Sequence, residues 1–314
     1  MIRIATAALL AFNLCCGVAV AASPEAEAPV RVFVLAGQSN MVGVGRVQGD
    51  PARNDGMGSL EWMVERAPDR ERFAGLRDQD GAWVERDDVW IWFLGRRGGL
   101  RPGFGADENA IGPELGFGRV VGDASDEPVL LVKVAWGGKA IGREFRPPSS
   151  GGEVGPEYTM LVERVREVMA DPAALFPELG GREFELAGIG WHQGWNDRVN
   201  QAFNDAYEEN LSNLVRDLRR DLDRPELPFV IAETGMSGPG EKHPRALSLM
   251  AAQAAVAARP EFEGTVAFVG TRAFYRPPDR SPSGQQYHWN SNAETYFLIG
   301  EAMGRAMLDL LDRD

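Results

Sequence analysis

Five short runs rich in β-branched and apolar residues constrain this chain more than any other feature: Val30–Leu35, Pro128–Trp136, Phe184–Trp191, Leu227–Glu233 and Thr265–Val269. They are nearly continuous in apolar character rather than alternating, the pattern of strands covered on both faces. Helical periodicity separates them. Residues 199–222 set Phe203, Tyr207, Leu211, Leu214 and Leu218 on one stripe with charges opposite. An alanine-rich helix fits about 244–258, and a last helix begins near Ser291, where Ser291 and Glu294 have capping-box spacing, and runs to about Leu311. Strands alternating with helices predict a three-layer α/β/α sandwich around a mainly parallel five-stranded sheet with right-handed crossovers. The Gly-, Asp-, Arg- and Trp-rich segment at about 46–110 fits less well. Its stretch "DDVWIWFLGRRGGLRPGFG" reads as a strand or hairpin, and the segment is expected to be an insertion within a single domain over 23–314.

Residues 1–22 read as a secretory signal peptide: Arg3, then an apolar run, then Ala19-Val20-Ala21-Ala22 as a small-residue exit. Cleavage is expected near 21–23, with a secreted or periplasmic address; an uncleaved anchor is the other reading, since the run is about a membrane span long. Cys15 and Cys16, the only cysteines, lie inside it. The mature chain then has no disulfide, no thiol nucleophile and no Cys-based zinc site. The full chain carries 33 basic and 46 acidic residues, net −13; losing Arg3 leaves 32 against 46, net −14. Such a surface repels nucleic acid and anionic membranes, so neither is an expected partner of the cleaved chain. No obligate protein partner is evident.

Ligands of sheets built this way sit beyond the carboxyl ends of the strands. Ser39, Trp136-Gly137-Gly138, His192-Gln193-Gly194 and Glu233 all fall there. Serine is a weak nucleophile that needs a base and donors for the developing oxyanion. Of the three histidines, His243 in "GEKHPRA" reads as surface and His192 as an orienter of its loop. His288, in the loop before the last helix, is where the histidine of a Ser-first, His-last hydrolase would arrive.

"GQSNM" at Gly37–Met41, "WGG" at Trp136–Gly138, "WHQGWND" at Trp191–Asp197 and the late "YHWN" with His288 resemble, in order, the blocks of the SGNH hydrolases. Within them the chain is most similar to carbohydrate esterases of the sialate O-acetylesterase and acetylxylan esterase type, over about Val30 to Leu311. No Gly-x-Ser-x-Gly elbow is present, which separates it from ordinary α/β-hydrolase lipases. The resemblance implies hydrolysis of O-acetyl esters on sugars with no metal or organic cofactor. It casts Ser39 as nucleophile and His288 as proton relay. The oxyanion donors would be the Ser39 N–H, the Gly138 (or Gly137) N–H and the Gln193 amide. Gln38, Asn40, Trp195 and Trp289 are the expected substrate contacts.

Two departures bear on the triad acid. The family's Asp three residues before the histidine is Gln285 here, and Trp195 replaces the Glu of His-Gln-Gly-Glu. Asp197 is the expected acid, Glu233 the reserve, and Asp197 as a plain helix cap the alternative. Two competing functions stay open: a sugar-binding protein whose turnover went with the acid, and an esterase for lipid or aryl esters, for which no long apolar lid is present. Trp62, Trp83, Trp90 and Trp92 would stack on sugars or fill the core. Lys139, Arg143 and Arg146 read as solvated charge before carboxylate binders.

Overall fold

A computed structural model describes residues 28–312; the expected signal peptide over 1–22 lies outside the described residues. The strands are β1 (Val30–Gly37), β2 (Gly45–Arg46), β3 (Val89–Phe93), β4 (Arg96–Gly99), β5 (Ala110–Ile111), β6 (Val129–Ala135), β7 (Phe184–His192), β8 (Phe229–Ala232) and β9 (Val266–Val269). Seven of them form one sheet in the order β4-β3-β6-β1-β7-β8-β9, while β2 and β5 make a separate antiparallel pair. All neighbours in the large sheet are parallel except β3 and β4.

The sheet therefore has seven strands rather than five. The extra two come from the segment read as an insertion. Val89, Ile91 and Phe93 are buried, and β3 docks parallel on β6. The hairpin turns through Leu94 (φ 47°) and Gly95 (φ 86°), a two-residue connection with both central φ positive. Leu94 is an unusual residue for that conformation, so its sequence gives no turn signal.

Side chains alternate across the sheet. Phe33 and Leu35 of β1 pack under the helices Glu114–Asp123 and Ala293–Leu311. Val32, Val34 and Ala36 pack under Pro156–Ala170, Tyr207–Asp221 and Pro244–Ala257. On the first face the two helices nearly touch, because a Cβ at Gly116 would fall 2.1 Å from the Phe297 carbonyl oxygen and one at Gly300 2.0 Å from that of Pro113. The stripe expected over 199–222 is split into Gln201–Asp205 and Tyr207–Asp221. The last helix starts at Ala293, two residues later than expected. Its cap is Asn292, whose side chain accepts from the Thr295 N–H at 3.1 Å. Ser291 instead has φ 56°, outside the helical region. Among the described residues no helix is long and apolar enough to cross a membrane.

Candidate active site

β1 ends at Gly37 (φ 151°), where any Cβ would lie 2.2 Å from the His192 carbonyl oxygen at the end of β7. Only glycine lets the two strand ends close there. The chain then turns at once into a four-residue helix, Ser39–Val42, so Ser39 stands half-buried at its first position. Its N–H has no hydrogen-bond partner among the described residues, as expected at a helix start.

His288 Nε2 lies 3.0 Å from Ser39 Oγ. The two segments are 249 residues apart, and Asn40 ties them together. Its Nδ2 donates to the Tyr287 carbonyl at 3.1 Å, while its Oδ1 accepts from the Tyr296 hydroxyl at 2.8 Å. The histidine loop is held in a tight 3-10 stretch, Gln286–Ser291, in which Trp289, Asn290 and Ser291 all have positive φ. Burial lowers the His288 pKa below its ordinary 6.5, leaving a neutral imidazole able to accept a proton near pH 7.

Gly137 and Gly138 are exposed beside this pair, and a Cβ on Gly137 would sit 3.9 Å from that of Ser39. The N–H groups of both glycines have no partner among the described residues. Gln193 does not complete an oxyanion site here. It is 1% exposed, and its Nε2 donates to Asp197 Oδ2 (2.6 Å) and the Lys139 carbonyl (2.9 Å), with Gln38 Oε1 at 3.3 Å. Its Oε1 accepts from the Tyr207 hydroxyl. The amide that does reach the glycine turn is that of Asn196, whose Nδ2 donates to the Gly138 carbonyl at 2.9 Å and is partly open to solvent. Asn196 lies between Trp195 and Asp197 on a one-turn helix, Trp195–Arg198, that no sequence pattern marks.

Asp197 is not bonded to His288. Its oxygens accept from the Ile141 N–H (2.9 Å), the Gly142 N–H (2.8 Å) and Gln193, so it staples the 137–142 loop to the end of β7. Burial pushes its carboxyl up to about 6, against those three donors. Glu233 likewise serves structure: it accepts from the Thr271 and Arg272 N–H groups and pairs with the Arg272 guanidinium at 3.0 Å. Gln285 sits three residues before the histidine, its carbonyl accepting the His288 N–H at 2.8 Å. No carboxylate is hydrogen-bonded to His288 among the described residues.

Of the expected substrate contacts, three are internal. Gln38 is 1% exposed, with Oε1 accepting from the Gly194 and Asn196 N–H groups and Nε2 donating to Asn196 Oδ1. Asn40 is the tie described above, 3% exposed. Trp289 is fully buried, stacked 6.4 Å from the His192 ring. Trp195 is half-buried and faces Tyr287 at 5.6 Å, with the Arg198 guanidinium 4.2 Å over its ring. Tyr287, exposed and 4.5 Å from the His288 ring, was missed although it precedes the histidine directly. Lys139 pairs with Glu157, Arg143 with Glu144, and Arg146 with the Gly142 carbonyl. Among the described residues no three His, Cys, Asp or Glu side chains cluster as a metal site requires.

A family model described as a carbohydrate esterase, sialic acid-specific acetylesterase, matches residues 29–309. No curated protein matches the chain in sequence. Among solved structures, a protein from Arabidopsis thaliana is similar with a TM-score of 0.60 at 19% identity, over 89% of this chain and 98% of its own. A carbohydrate acetylesterase from Xanthomonas citri is similar with a TM-score of 0.54 at 14% identity, over 90% of this chain and 57% of its own. At such identities the likeness is one of fold.

Proposed function

The chain belongs to the sialic acid-specific acetylesterase family of carbohydrate esterases, and from that premise we propose that it removes O-acetyl groups from sugars by a serine–histidine mechanism. The observation that supports this reading is the 3.0 Å contact between His288 Nε2 and Ser39 Oγ at the carboxyl end of the sheet. In this reading Ser39 Oγ attacks the acetyl carbonyl while His288 Nε2 takes its proton. The resulting oxyanion lies among the N–H groups of Ser39 and Gly138 and the outward N–H of the Asn196 amide. His288 returns the proton to the departing sugar oxygen. Water, activated by the same imidazole, then cleaves the acetyl-enzyme to acetate.

Trp195 and Tyr287 offer aromatic faces on which a sugar ring stacks beside the pair. The substrate is an acetylated carbohydrate, and the N-terminal 22 residues support export of the chain as part of the same proposal. The test is acetate release from O-acetylated sialic acids, acetylated xylan and a small aryl acetate. Turnover is expected with at least one acetylated sugar, and Ser39→Ala should abolish it while the fold persists. A folded Ser39→Ala variant with wild-type turnover would end the nucleophile assignment. A wild-type chain that binds these sugars without releasing acetate would make it a sugar-binding protein, the reading favoured by the lack of a carboxylate on His288.

A further inference from the structure

Lys133 is the one lysine in the interior of the sheet. It lies on β6 opposite Leu35 of β1, on the face packed by the helices Glu114–Asp123 and Ala293–Leu311. Both it and Glu114 are 0% exposed at the side chain, and they pair at 2.7 Å. A buried ion pair brings heavy desolvation costs and is often replaceable by apolar residues without loss of stability. Stability alone is therefore a weak reason for it.

The partners of the ammonium suggest another reason. Its three donors go to Glu114 Oε2, to the Phe104 carbonyl at 2.8 Å and to the Val42 carbonyl at 2.6 Å. Val42 is the last residue of the helix that Ser39 begins. Helix-end carbonyls lack intrahelical partners and favour a cation. Glu114 Oε1 accepts from the Gly112 N–H at 2.8 Å, and Gly112 lies directly against Gly43, where a Cβ would fall 2.0 Å from the Gly112 Cα. The Phe93 ring, 4.5 Å from the ammonium, closes the site from β3. The pair thus grips the carboxyl end of the nucleophile turn, while Asn40 ties the turn to the histidine loop.

We propose that the buried Lys133–Glu114 pair is a positioning device: it fixes the Ser39–Val42 turn so that Ser39 Oγ stands at His288 Nε2 and its N–H faces the oxyanion. This rests on the esterase reading of Ser39. The energetic logic is that misplacing a reacting group by about 1 Å costs on the order of 10²-fold in rate.

The experiment compares Lys133→Met/Glu114→Gln, which removes both charges at similar volume, with the wild type on a small aryl acetate. The expected result is a folded protein with KM within about twofold and kcat lowered by on the order of 10- to 100-fold. Labelling of Ser39 by a serine-directed phosphonate should slow in parallel. Wild-type kcat and labelling rate in the folded double variant would overturn the proposal and leave the pair purely structural. Should the double variant fail to fold, Glu114→Gln decides the matter, because it keeps the Lys133 amine at the Val42 carbonyl but removes its counter-ion. A lowered melting temperature with lowered kcat and unchanged KM supports positioning, and a lowered melting temperature with unchanged kcat overturns it. Ser39→Ala, run alongside, separates failure of this proposal from failure of the esterase reading, which would show as turnover without Ser39.

Discussion

Gln193 and Asp197 satisfy each other: the amide donates to the carboxylate at 2.6 Å, and neither is hydrogen-bonded to Ser39 or His288. Two residues expected at the reacting centre thus form one staple, and the amide that reaches the glycine turn is that of Asn196, whose Nδ2 donates to the Gly138 carbonyl. Asn196→Ala is expected to lower kcat by about 10²- to 10³-fold with little change in KM, the usual cost of removing one oxyanion donor. Gln193→Ala, by contrast, strips a buried network and should lower stability by about 1–3 kcal/mol. Steady-state kinetics and thermal melts of the two variants check the order. If Gln193→Ala shows the greater kcat loss while folded, the oxyanion role returns to Gln193.

Asp197→Asn places an NH2 group where three donors converge, leaving at least one of them unsatisfied. The expected outcome is a lower melting temperature, with a stability loss of about 1–3 kcal/mol. The His288 imidazole titration, followed by NMR, should move far less than the roughly 1–3 units that loss of a direct carboxylate partner produces. A shift of that full size would restore Asp197 to a triad.

Much of this arrangement was legible in the sequence, and the exceptions have definite causes. The five apolar runs correspond to β1, β6, β7, β8 and β9, because strands buried on both faces leave an uninterrupted apolar signature. The hairpin of β3 and β4 was half visible: its edge strand reads Arg-Arg-Gly-Gly, without an apolar pattern, and Leu94 occupies a turn position that normally announces itself with Asn or Gly. Ser39 and His288 could be found because each lies where a strand or helix forces the chain to turn. The internal roles of Gln38, Asn40 and Gln193 could not, since sequence gives the donor and acceptor groups but not which neighbour they face. Asn292 rather than Ser291 caps the last helix because the three positive-φ residues before it delay the helix start.

The two tryptophans expected to meet sugar should separate cleanly. Trp289 is fully buried at φ 52°, packed against His192, and Trp289→Ala should cost about 3–5 kcal/mol of stability. Trp195 is half-buried at the mouth of the site, and Trp195→Ala should raise KM for a sugar acetate more than for a small aryl acetate, with a modest change in melting temperature. Calorimetry and paired KM measurements test both. Equal KM effects on the two substrates would remove Trp195 from the sugar-binding face.

The pH profile carries the consequence of the missing acid. His288 must be neutral to accept the Ser39 proton, so activity is lost on the acid side as the imidazole protonates. Burial lowers its pKa below the ordinary 6.5, with no carboxylate to raise it. The acid limb of kcat/KM is therefore expected below 6.5. Residue 285 offers a way to test the cause. The Gln285 carbonyl accepts the His288 N–H at 2.8 Å, an i to i+3 bond that holds the two residues on one tight turn. Gln285→Asp should supply a charge that stabilises the imidazolium, raising the His288 pKa by about 1 unit or more and moving the acid limb to higher pH by the same amount. Above that limb kcat should rise, by about tenfold or more, since a carboxylate that fixes the imidazole tautomer contributes strongly to such pairs. An unmoved limb with unchanged kcat would mean that a carboxylate at 285 does not reach His288, and that the pair works without an acid on this loop.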